Sequence, residues 1–176
     1  AVRTRASTYA IGSLRGIIWL NSTLSVAIVK PKMYTLAVKG KNQKATSQVT
    51  AVLGYGSQGR AIALNLQDSG WQVIVGLKKS SKSIARARRE GIQNIAATDV
   101  AVSRSKNVVM ALPDHLHGRI FDKEILPHLK PGTTLLFLSG MSVHFGFVRP
   151  PSNCDVIMLA PHAPGRSGFG WLLSRR

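Results

Sequence analysis

"GYGSQGRAIALNLQDSGWQVIVGLKKSSKS", residues 54–83, follows directly on the apolar, β-branched run "VTAVL" at 49–53. A short run of that kind ending in glycine predicts a buried strand feeding a tight turn. "QGRAIALNLQDSG" then spaces Ala61 and Leu64, with Ile62 beside them, along one face of a helix that stops at Gly70. Gly54, Gly56 and Gly59 thus satisfy G-x-G-x-x-G between a strand and a helix, the context that gives the pattern its meaning. In such a turn the first glycine permits the bend and the second lets a pyrophosphate approach the backbone. The third lets helix and strand pack closely. The helix N-terminus offers unpaired N–H groups and a partial positive charge to the phosphates. The same glycines would also serve a turn kept for packing alone.

Downstream, strands and helices alternate. "WQVIVGL" predicts a second strand, "SKSIARARREG" a basic helix ending at Gly91, and "IQNIAA" a short third strand. A helix from Thr98, the strand "NVVMALP", a helix over Leu116–Leu129 and the strands "GTTLLFLSG" and "CDVIMLAP" complete the series. This alternation implies parallel pairing through right-handed crossovers, hence an α/β, doubly wound, Rossmann-like sheet. The domain is expected over residues 48–165, after a basic N-terminal extension at 1–47 and before a short tail at 166–176.

The end of the second strand discriminates between cofactors. A carboxylate about twenty residues after the glycines would bond the ribose 2′-OH of NAD. Here the segment reads "GLKKSSKS", in which Lys78, Lys79, Ser81, Lys82 and Ser83 supply cations and hydroxyls suited to a 2′-phosphate. NADP(H) is therefore the expected cofactor. The lysines also fit a generally basic surface.

That surface is conspicuous. The 176 residues include 24 Lys and Arg against 7 Asp and Glu, a net charge of +17. Such an excess works against compaction unless a polyanion neutralises it; nucleic acid is the first candidate and an anionic membrane the second. No acidic residue precedes Asp68, while Arg3, Arg5, Arg15, Lys30, Lys32, Lys39, Lys41 and Lys44 lie upstream among many Ser and Thr. Arg-rich, Ser-rich, acid-poor N-termini resemble organellar transit peptides, so a retained extension of a mitochondrial or other organellar protein is expected. The run "IGSLRGIIWLNSTLSVAIV" at 11–29 is apolar enough to suggest a membrane span, which Arg15, Asn21 and its Ser and Thr weaken. The single cysteine, Cys154, excludes an internal disulfide and is expected as a packing residue.

The motifs "GYGSQG", "ALNLQDSG", "VGLKKSSKS", "LPD", "KEILPHLKPG", "VHFG" and "DVIM", spread over Gly54–Gly165, resemble the N-terminal NADPH-binding domain of ketol-acid reductoisomerase. The resemblance implies that Tyr55, Gly56, Ser57 and Gln58 cradle the cofactor. It implies that Ser81 and Ser83 meet the 2′-phosphate, with Lys78 standing where the family usually has Arg. Asp114 to His117, in "LPDHLH", would lie over the cofactor.

Departures from the family pattern bear on chemistry. Where the family has a His-Gly-Phe stretch carrying its catalytic histidine, this sequence has "LSGMS" and Ser139. The lysine of the family's "APKGPG" is replaced by His162. The family's two Mg²⁺ ions are held by acidic residues of a following helical domain; the sequence here ends at "GFGWLLSRR", and no metal site is expected. A serine cannot replace imidazole as acid or base near neutral pH. A Ser139–His144 nucleophile pair has no orienting carboxylate. His115 and His117, two apart, would face different sides of a helix, which argues against zinc. No catalytic residue is expected.

Two functions remain open. One is a catalytically inactive, reductoisomerase-derived Rossmann domain serving as a structural subunit of a large organellar assembly. The mitochondrial ribosome fits best, with Arg3, Arg5, Arg15, Lys39, Lys41, Lys44, Arg86, Arg88 and Arg89 contacting rRNA, and a respiratory-chain complex is its variant. Arg104 and Lys106 in "SRSK" add to the cations, and scarce aromatics argue against base stacking. The other is an NADPH-dependent oxidoreductase or truncated reductoisomerase.

Overall fold

The computed structural model describes residues 48–161 together with the backbone of two strands at 17–20 and 24–28. Eight strands form one sheet: β1 (Ile17–Leu20), β2 (Leu24–Ile28), β3 (Thr50–Leu53), β4 (Val73–Gly76), β5 (Ile95–Ala96), β6 (Asn107–Met110), β7 (Thr134–Phe137) and β8 (Asp155–Pro161). Their order across the sheet is β1-β2-β8-β7-β6-β3-β4-β5. The six strands from β8 to β5 are parallel, as the alternating pattern requires. β2 pairs antiparallel with β8, and β1 with β2. Part of the N-terminal extension therefore completes the sheet, and the apolar run at 11–29, weighed above as a membrane span, holds two strands. Among the described residues no helix is long and apolar enough to cross a membrane.

Strand side chains alternate between two faces, and each face builds its own core. Ala51, Leu53, Val108, Met110, Leu135 and Phe137 pack with Ala101 and Val102 of α3 (Thr98–Ser103) and with Phe121 and Ile125. On the opposite face Val52, Val73, Val75 and Val109 pack with Ala63 and Leu64 of α1 (Ser57–Asp68) and Ala87 of α2 (Ser83–Arg89). Helices on both faces make the sheet doubly wound. Burying a side chain such as Phe121 or Phe137 contributes about 2–3 kcal/mol against exposure, and both are fully buried. Cys154 is buried, as a packing residue should be.

One local expectation is refined and two change. Along α1 the buried side chains are Ala61, Ala63 and Leu64, while Ile62 is partly buried at the margin of the same core. The third strand spans only Ile95–Ala96. The long helix expected over Leu116–Leu129 is instead a chain of turns: a 3₁₀ turn at Asp114–Leu116, α4 at His117–Ile120, a π turn at Phe121–Ile125 and a second 3₁₀ turn at Leu126–His128. Pro127 lacks an N–H and cannot extend a regular helix, which breaks the ladder there. A last short helix, α5, covers Met141–His144.

Candidate functional site

The loops after β3, β4, β6 and β7 all leave the same edge of the sheet, because these strands run parallel. From β3 the chain winds outward to β4 and β5, then returns to the other side of β3 with β6. Ligands of open α/β sheets bind at such a switch point, outside the carboxyl ends of the strands. The three glycines sit there, each with its own geometry. Gly54 has φ +96°, and a Cβ on it would lie 2.7 Å from the carbonyl oxygen of Ala111, at the end of β6. A Cβ on Gly59 would lie 2.4 Å from the Gly54 carbonyl oxygen. Gly56 is the opposite case, exposed and with nothing within 4 Å of that position. Two glycines are thus required by the fold, while the middle one faces open space at the mouth of α1. α1 has no side-chain cap and no acidic residue in its first turn, so its positive pole suits an incoming anion. Ser57 is exposed and Gln58 half-buried at that mouth.

Tyr55 contributes its backbone to the turn, while its side chain turns inward, 3% exposed, and its hydroxyl donates to Glu90 Oε2 at 2.8 Å. The Nε of Arg60, in α1, donates to the same oxygen at 2.8 Å, and that of Arg86, in α2, to Glu90 Oε1 at 3.2 Å. Glu90 therefore ties the glycine turn to both helices that flank it. Burial pushes its carboxyl pKa up, but the hydrogen bonds from Arg60, Tyr55 and Arg86 outweigh burial and hold it below the ordinary value. Burial, then the bond to Glu90, pushes the Tyr55 phenol well above its usual range. A depressed carboxylate adds stability that is complete above the unfolded glutamate pKa and is lost as pH falls through the folded value. Glu90→Gln should flatten this acid-side loss and cost about 2 kcal/mol at neutral pH, read from urea midpoints of both proteins across that range.

The expected 2′-phosphate loop follows β4. Lys78, Lys79 and Lys82 are exposed, and Ser81 and Ser83 are half-buried. The Ser83 N–H donates to Ser81 Oγ at 3.3 Å, so this oxygen accepts within the loop and its O–H remains a donor. The Ser81 N–H donates to the Lys78 carbonyl at 2.9 Å, folding the loop so that Lys78 and Ser81 share one turn.

The third loop, after β6, carries Asp114, which is partly exposed. Below it His117 is 1% exposed and joins two segments. Its Nε2 lies 2.9 Å from the Leu112 carbonyl and must donate, since a carbonyl only accepts. Its Nδ1 lies 2.7 Å from Ser142 Oγ in α5, and 3.7 Å from Asp114 Oδ1. The pair closes the loop of β6 onto the loop of β7. Ser139 begins that last loop, and its Oγ accepts the Met141 N–H at 3.2 Å. His144 packs edge-on against Phe145, centroids 4.8 Å apart, and makes no hydrogen bond with Ser139.

The site loops around Gly54–Gly59, Lys78–Ser83 and Asp114 thus share one edge. Arg86, Arg88 and Arg89 are exposed on α2, beside the second loop. Arg3, Arg5, Arg15, Lys39, Lys41, Lys44 and His162 lie outside the described residues. Glu90 and the His117–Ser142 pair were not expected. The only sequence sign of the former was a lone acid in a basic run; the latter had none.

The family model "Acetohydroxy acid isomeroreductase, NADPH-binding domain" matches residues 44–168. The chain is 46% identical over 117 residues to the ketol-acid reductoisomerase (NADP(+)) of Pyrobaculum neutrophilum, covering 66% of this chain and 36% of that protein. It is 41% identical over 127 residues to the enzyme of the same name from Methanococcus maripaludis, covering 68% and 38%. Among solved structures, an NADH-preferring ketol-acid reductoisomerase from an uncultured archaeon superposes with a TM-score of 0.68 at 35% identity, over 73% of this chain and 40% of that one. The chain spans well under half the length of these relatives.

Proposed function

The chain belongs to the acetohydroxy acid isomeroreductase NADPH-binding domain family, and from that premise we propose that it holds NADP(H) on the switch-point edge, with the 2′-phosphate at Lys78, Ser81 and Ser83. The observation that carries this reading is the open cradle at Gly56, the one turn glycine whose Cβ position is empty. The pyrophosphate would lie against that backbone and the first turn of α1, with Asp114 above. When bound, the cofactor supplies or accepts hydride. The described residues orient it: Glu90 fixes the turn, and the His117–Ser142 pair fixes the loop over it.

Ser139 occupies the place of the family's histidine, and an aliphatic hydroxyl does not exchange protons near neutral pH. The reading is therefore cofactor binding without acid–base chemistry at that position. Calorimetric titration tests it: NADPH should bind at least tenfold tighter than NADH, and Lys78→Glu should erase the preference. Equal affinity for both cofactors, or for neither, would overturn it. The net charge of +17 favours a second reading, a structural subunit of a polyanion-rich organellar assembly such as the mitochondrial ribosome. Native protein that fails to co-sediment with ribosomal particles at physiological salt argues against it.

A further inference from the structure

We infer that the edge formed by the β4–α2 loop and α2 docks the phosphate backbone of a nucleic acid, and that NADP(H) competes for it; the competition rests on the cofactor reading above. Lys78, Lys79, Lys82, Arg86, Arg88 and Arg89 all lie exposed within twelve consecutive positions. The one carboxylate nearby, Glu90, is engaged by Tyr55, Arg60 and Arg86, so it does little to neutralise the others. Among the described residues Lys78, Lys79, Lys82, Arg88 and Arg89 have no carboxylate partner. Five cations held without counter-charge on one short segment repel one another, and neutralising phosphates relieve that repulsion while releasing counterions.

The chemistry favours a nucleic acid over a membrane. Basic surfaces that settle on lipid pair their cations with inserted apolar side chains. The exposed large apolar residues of the described chain are Leu126, Met141, Phe145 and Phe147, none of them in the β4–α2 loop or in α2. Three arginines suit phosphodiester oxygens through their forked donors. No aromatic side chain lies between Lys78 and Asn94, so contact is with the backbone and not the bases. Lys78 stands in both footprints, the cofactor's and the polyanion's.

The test uses the full chain and a labelled RNA duplex, with affinity read by fluorescence anisotropy over a series of salt concentrations. Arg88→Ala with Arg89→Ala should lower the slope of log affinity against log salt by about 1.8, taking about 0.9 per lost phosphate contact, and should leave NADPH affinity unchanged. Saturating NADPH should weaken RNA binding to the unaltered chain several-fold. An unchanged slope in the double variant overturns the surface, and so does an equal loss on phosphatidylserine vesicles with none on RNA. NADPH that binds without affecting RNA overturns the competition. NADPH that does not bind overturns the cofactor reading, while the slope still decides the surface.

Discussion

Gly59→Ala should destabilise the domain by about 3 kcal/mol, the upper end for inserting one carbon into a packed site. The added Cβ would meet the Gly54 carbonyl oxygen at 2.4 Å and the Ala111 Cβ at 3.0 Å. The first of these is backbone in a turn already bent to φ +96°, so relief requires α1 to lift from β3. Gly56→Ala is the matched control, since nothing lies within 4 Å of its new carbon. Its stability should fall by about 0.5–1 kcal/mol, the usual difference between Gly and Ala at a helix N-cap. Its NADPH affinity should nevertheless drop at least tenfold, because the methyl fills the space left for the pyrophosphate. Urea denaturation and calorimetric titration of both variants separate the two roles. If Gly56→Ala binds NADPH as well as the unaltered chain, the cofactor does not approach there.

His117→Leu should cost about 3–4 kcal/mol. The substitution keeps an apolar volume next to Phe137 but strips partners from the Leu112 carbonyl and from Ser142 Oγ, and Ser142 is fully buried. Each buried polar group left unsatisfied costs about 1–3 kcal/mol. Ser142→Ala should cost less, because it leaves only His117 Nδ1 without its partner, whereas His117→Leu strips two groups. The double variant should be more stable than the sum of the two losses predicts, by about 1 kcal/mol or more, since both changes break the same bond. Equilibrium denaturation of the four proteins in that cycle gives the coupling directly; additive losses would mean that the imidazole and the hydroxyl do not act as a pair.

The features legible in the sequence were those set by local rules. Strand and helix periods placed β3, β4, β6, β7 and β8, and the spacing of Gly54, Gly56 and Gly59 between a strand and a helix placed the turn. The lysines and serines after β4 sit on the loop where the spacing put them. What escaped was set by contacts between distant segments. Tyr55 sits in a turn associated with ligand, yet its side chain points to Glu90, 35 positions away, which only tertiary packing brings near. His117 and Ser142 are 25 positions apart and belong to different loops. The broken helix at 114–128 satisfies helical spacing locally, but a proline and a π turn disrupt it, and spacing is blind to both. β1 and β2 escaped because they lie within an apolar run whose length drew attention to a span.

β3 lies at the middle of the parallel sheet, with β4 on one side and β6 on the other. The first neighbour is reached through a single helix, whereas Thr50 and Asn107 are 57 positions apart. Closing the longer loop costs more chain entropy before any contact compensates for it, and ordering in such topologies is correspondingly slow. The β3–α1–β4 unit is then the part able to organise early, and the two half-sites would mature in succession. The β4 side of the switch-point edge would be shaped first, and the β6 side would wait for β6 and β7 to dock.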